Sequence, residues 1–161
     1  MKFKGKYVKD DGGRSKYFST KKIGDCVIRS FAIALDQDYL VTFQELFALG
    51  LEMGDMPNSH PVWKEYAKRK GFVRYPTPKD ARGKKISVRN WSADAPSGSV
   101  IALTREHLVA IVDNVQRDTW LEERTVSSYY VLEKQPEVNV EKLNMTELSD
   151  LILEQINGES K

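Results

Sequence analysis

Three side chains in this sequence have the types that acyl-transfer chemistry needs: Cys26, His107 and Asp118. Cys26 is the sole cysteine, and it stands in Gly24-Asp25-Cys26-Val27-Ile28-Arg29-Ser30-Phe31-Ala32-Ile33-Ala34-Leu35. Asp25 is a residue type that caps helix N-termini. After it, Val27, Ile28, Phe31, Ala34 and Leu35 recur at helical spacing. The pattern predicts a helix that starts at Cys26 and runs to the region of Asp36. A sulfur on that first turn feels the positive end of the helix dipole, which favours the nucleophilic thiolate. Against this stands the ordinary role of a lone cysteine as a small buried hydrophobe. The carboxylate of Asp25 also opposes a neighbouring thiolate.

The base and its partner come from a hairpin. His107-Leu108-Val109-Ala110-Ile111-Val112 is followed by Asp113-Asn114, then by Val115-Gln116-Arg117-Asp118-Thr119-Trp120. If Asp113-Asn114 is a two-residue turn, Val112 faces Val115, Val109 faces Asp118 and His107 faces Trp120. His107 and Asp118 are then diagonal neighbours on one face, about 7–8 Å apart between backbones, within reach of each other's side chains. A three-residue turn would send them to opposite faces. Nucleophile, base and orienting carboxylate make up a set able to form and hydrolyse an acyl-enzyme. The backbone N–H of Cys26 would supply one oxyanion donor.

These two segments resemble the papain-like cysteine peptidase superfamily, and most closely its small bacterial and phage-encoded members. Such proteins carry a phrase close to Asp-Cys-Val-x-Arg-Ala-x-Ala, matched here by Asp25 through Ala32. They also carry a later His-x-Val-Ala-x-Val-Asp hairpin with an Asp-Thr-Trp end, matched by His107 through Trp120. The likeness covers roughly residues 20–132. It implies a papain-like fold and a peptidase or amidase acting on a peptide or protein substrate, with no cofactor. Papain-like enzymes place a Gln several residues before the Cys as a second oxyanion donor. Residues 16–24 contain no Gln or Asn, which leaves Thr20, or Ser19 or Lys22, for that position. A missing donor costs about 10²–10³ in rate. A slow enzyme or an inactive papain-fold binding module, such as a phage accessory or host-interaction protein, is therefore the alternative. Trp120 and Trp91 are candidates to screen the thiolate from water, or plain core residues.

The elements that must position these groups follow from pattern. Thr42-Phe43-Gln44-Glu45 reads as a capping box opening a second helix. Pro61 opens a third, with Val62, Trp63, Tyr66 and Ala67 as its buried stripe and Gly71 as its end. His60, at that junction, reads as structural. Segments 72–75, 86–91, 98–104, 107–112, 115–120 and 125–132 are rich in β-branched and aromatic residues and read as strands. Helices followed by strands predict an α+β domain, with N-terminal helices on an antiparallel sheet. Residues 1–22, with eight lysines and arginines, read as a solvated basic leader in which Tyr7-Val8 and Tyr17-Phe18 form short strands or extended pieces, 23–135 as the domain, and 136–161 as a tail. In that tail, 144–156 reads as an amphipathic helix, docked on the domain or available for self-association or a partner.

Bulk properties narrow the classes. The 161 residues suit one domain with a core, and a net charge of +2 gives no electrostatic case for nucleic acid. No apolar run is long enough to span a membrane, and no signal peptide is apparent. One Cys and two His show no metal-ligand spacing. A single cysteine forms no internal disulfide and fits a reducing, cytoplasmic compartment.

Overall fold

In the computed structural model, residues 5–19 and 24–133 are described. Strand β1 (Lys6–Lys9) comes first. Helices α1 (Cys26–Ala34), α2 (Tyr39–Met53) and α3 (His60–Arg69) follow. Then come β2 (Phe72–Pro76), the short helix α4 (Val88–Trp91), and strands β3 (Ser99–Leu103), β4 (Leu108–Val112), β5 (Val115–Asp118) and β6 (Ser128–Leu132). The strands form one sheet in the order β1-β5-β4-β3-β6-β2. The architecture is mixed α+β.

Period-2 alternation divides the sheet between two cores. Ile101, Leu108 and Tyr130 join Val27, Ile28 and Phe31 of α1, Leu46 and Leu49 of α2, and Val62, Trp63 and Tyr66 of α3. The alternate residues Val100, Ala102, Val109 and Ile111 pack instead with Val88, Trp91, Ala95 and Val126. Phe31 anchors the first core, its ring centroid 5.0 Å from that of Tyr66 and 5.6 Å from that of Phe72 in edge-to-face contacts.

Four local expectations are corrected. Residues 6–9, inside the expected solvated leader, form the strand read at Tyr7-Val8, but it is an edge strand built into the sheet, parallel to β5, with Lys9 opposite Asp118. This makes the sheet mixed rather than wholly antiparallel. Backbone pairing decides the placement, while Lys6 and Lys9 stay exposed, as charged residues on an edge strand do. Helix α2 begins three residues before the capping box, because Asp38 accepts the Leu40 N–H at 2.8 Å and takes the cap. Thr42 and Glu45 then lie inside the helix. Glu45 is held instead by Tyr66 Oη at 2.5 Å, Gln37 Nε2 at 2.9 Å and Lys70 Nζ at 2.9 Å. Helix α3 is capped by Ser59, so Pro61 is its second residue. Residues 86–91 contain helix α4 in place of a strand. Ser87 caps it, and Val88 and Trp91 are both buried at i,i+3, a helical spacing that β-propensity masked.

No helix among the described residues is long and apolar enough to cross a membrane. The expected helix at 144–156 and the tail 136–161 lie outside the described residues.

Candidate active site

Cys26 is the first residue of α1, half-buried, against the first core. The helix forms there because its stripe is apolar and because the Asp25 carbonyl accepts the Arg29 N–H at 3.0 Å. The Asp25 side chain does not cap it, contrary to expectation. That carboxylate is buried, and it is taken by Arg29 Nη1, by Tyr39 Oη at 2.8 Å and by Arg14 Nη1 at 3.3 Å. Ion pairs and a phenol outcompete backbone amides for it.

The hairpin has the two-residue register. Val112 pairs with Val115, Ile111 with Gln116 and Ala110 with Arg117. Asp113 and Asn114 have φ of 49° and 64°, the left-handed pair that such a tight turn requires. Asn114 is pinned further by donating from Nδ2 to the Ala95 carbonyl at 2.6 Å. His107 lies just before β4, and its carbonyl accepts the Thr104 N–H at 2.9 Å. Asp118 closes β5. Past the last paired rung the two side chains meet: His107 Nε2 is 2.5 Å from Asp118 Oδ2, both residues buried.

With Nε2 occupied, Nδ1 is the ring nitrogen left to act on Cys26. Burial by itself would push the Cys26 pKa up. The His107 hydrogen bond, the Leu108 N–H and the charges of His107 and Arg29 outweigh it and hold the thiol below its ordinary value. For His107, burial would push the pKa down, but Asp118 and Cys26 together raise it to about 9. Thiol and imidazole thus favour a thiolate–imidazolium pair, the reactive form of such a dyad.

Trp120 is 46% exposed, so it is not a core residue. Its ring stacks on His107 with centroids 4.4 Å apart and planes 23° from parallel, closing the outer side of the imidazole. Trp91 belongs to the second core, 4.6 Å from Tyr129, and takes no part in the site. His60 begins α3 and lies 5.4 Å from Trp63. Thr20 and Lys22 lie outside the described residues.

Arg29 of the cysteine segment also belongs to the site. It is 4% exposed. Its Nη2 is 3.0 Å from Asp118 Oδ1, and its Nη1 pairs with Asp25. The guanidinium therefore joins the residue before the nucleophile to the carboxylate behind the base. A sequence signal existed: a cation inside an otherwise apolar helical stripe, four residues after an aspartate. Among the described residues no three His, Cys, Asp or Glu side chains are grouped as a metal site would require.

Compared with known proteins, the chain matches no protein-family model, no curated protein and no solved structure.

Proposed function

We propose that this chain is a thiol hydrolase of papain-like type, a peptidase or amidase using Cys26, His107 and Asp118. One observation carries the reading: a helix-tip cysteine whose thiol is held below its ordinary pKa by an imidazole, the Nε2 of which is 2.5 Å from a buried carboxylate. In this reading the Cys26 thiolate attacks the carbonyl carbon of an amide, and the carbonyl π electrons move onto oxygen. The backbone N–H of Cys26 stabilises that oxyanion, with Thr20 as the candidate for a second donor. The His107 imidazolium gives its proton to the leaving nitrogen as the C–N bond breaks, leaving a thioester on Cys26. Neutral His107 then takes a proton from water as hydroxide adds to the thioester, and the C–S bond breaks to release the carboxylic acid and regenerate the Cys26 thiolate. Asp118 holds the ring in the tautomer that keeps Nδ1 toward sulfur. Peptide and isopeptide bonds are the substrate class by resemblance, and the site is cytoplasmic in this reading.

The test is a fluorogenic peptide library followed by mass spectrometry, run beside an electrophilic thiol probe. The expected result is cleavage by addition of one water and labelling at Cys26, both lost in Cys26→Ala and strongly reduced in His107→Ala. A chain that labels at Cys26 yet cleaves nothing in the library would refute the hydrolase reading. That outcome would favour the second reading, a papain-fold binding module, whose supporting observation is the absence of Gln or Asn in residues 16–24.

A further inference from the structure

A carboxylate that orients a buried histidine has two oxygens, and its rotation is free unless the second is held. Asp118 is 3% exposed. Its Oδ2 faces His107 Nε2, while Oδ1 receives Arg29 Nη2 at 3.0 Å and the Thr119 N–H at 2.6 Å. Arg29 is in turn held from behind. Asp25 takes its Nη1, and Asp25 itself is fixed by Tyr39 and Arg14. On the outer side the guanidinium carbon lies 5.7 Å from the centre of the Trp120 ring, which also covers His107.

We propose that Arg29 is a positioning residue, a rigid fork between Asp25 and Asp118 that turns Asp118 Oδ2 toward His107 and so sets the thiol–imidazole pair. Geometry argues for the fork. A guanidinium is planar, and its two terminal nitrogens grip two carboxylates at a fixed separation, which the point charge of a lysine cannot do. Electrostatics argues the same way. Two buried carboxylates without a shared cation would repel each other, and the guanidinium set between Asp25 and Asp118 offsets that repulsion. The inference deepens the thiol-hydrolase reading, because it concerns how the same three residues are arranged.

The experiment is the rate of iodoacetamide alkylation of Cys26 against pH, in the full chain, with folding checked by circular dichroism and thermal melting. Wild type, Arg29→Lys, Asp25→Asn and the charge-neutral double variant Asp25→Asn/Arg29→Gln are compared. If Arg29 positions the dyad, Arg29→Lys and the double variant move the acid limb of the profile to higher pH. They also slow alkylation at pH 6.5 at least fivefold. Asp25→Asn, which leaves Arg29 free to serve Asp118 alone, keeps the wild-type limb or moves it to lower pH. A folded Arg29→Lys or double variant with an unmoved limb overturns the proposal, since a merely structural guanidinium would change only the melting temperature. Failure of both to fold also overturns it, in favour of a purely structural clamp. Alkylation needs no substrate. An Arg29-dependent limb in a chain that cleaves nothing would therefore sink the hydrolase reading and leave the clamp standing.

Discussion

Replacing His107 by Ala isolates the largest single contribution to the reactivity of Cys26. Burial is the strongest influence on that thiol, and it acts to keep it protonated. Removing the imidazole removes both a hydrogen bond and a positive charge that oppose burial, while the Leu108 N–H and Arg29 remain. At pH 6.5 an ordinary thiol of pKa about 8.5 is about 1% ionised. Full ionisation would raise alkylation by as much as about 100-fold, but a less basic thiolate is a weaker nucleophile. With a Brønsted slope of about 0.4–0.5, the net gain shrinks to about tenfold. The wild-type protein should therefore react up to about tenfold faster than His107→Ala at pH 6.5. The shapes of the two profiles should also differ. Wild type rises first below the ordinary thiol range, then shows a second inflection where the imidazolium loses its proton, at about 9. His107→Ala should show one inflection, at higher pH than the first wild-type rise. The assay is stopped-time iodoacetamide labelling read by intact mass. Equal rates at pH 6.5 with superimposable profiles would refute the coupling of sulfur to ring.

Asp118→Asn keeps the size of the side chain but offers His107 Nε2 an amide, so the tautomer presented to Cys26 is no longer enforced. Hydrolysis in a triad so altered falls by about 10⁴, and steady-state turnover of a cleaved peptide checks it. In Cys26→Ser, which removes the opposing titration of the thiol, His107 still has a pKa raised mainly by Asp118. The folded form then binds a proton more tightly than the unfolded one. Stability should be fullest below about 6.5 and fall as pH rises toward the alkaline range, as urea unfolding at pH 6 and pH 9 would measure. Trp120→Ala removes a half-exposed stacking partner and should lower stability by only about 1 kcal/mol. It should nonetheless slow Cys26 alkylation at pH 6.5 by letting water reach the imidazolium; an unchanged rate would deny the indole a screening role. Phe31→Ala, at 1% exposure between Tyr66 and Phe72, should cost about 3–5 kcal/mol and shift the urea midpoint accordingly.

Local chemistry made part of this fold legible. The start of α1 at Cys26 follows from its apolar stripe, and the hairpin register follows from Asp113-Asn114, whose positive φ values few residue types accept. From that register the meeting of His107 with Asp118 could be computed. What stayed hidden depends on partners far along the chain. Tyr7-Val8 reads locally as a short strand or extended piece, but its parallel pairing with residues 115–118 has no local sign. Helix α4 is four residues long in a β-prone stretch, so its local signs, the cap at Ser87 and the i,i+3 spacing of Val88 and Trp91, are outweighed by β-propensity. The capping-box reading of Thr42 and Glu45 failed because Asp38 was an equally good cap one turn earlier. Arg29 carried a sign of its own, since a cation among buried positions needs an anion. Asp25 was visible four residues before it, whereas Asp118, 89 residues away, was not.

Residues 6–10 reach further than the exposed Lys6 and Lys9 suggest. Tyr7 Oη at 3.1 Å and the Asp10 N–H at 2.9 Å both donate to one peptide oxygen, that of Asp118. Clipping or displacing that short segment would release the plane from which the orienting carboxylate hangs. A preparation nicked there, or fused to a bulky tag ahead of it, would test as inert for a reason unrelated to its thiol. Intact mass of the amino end therefore has to accompany any negative result.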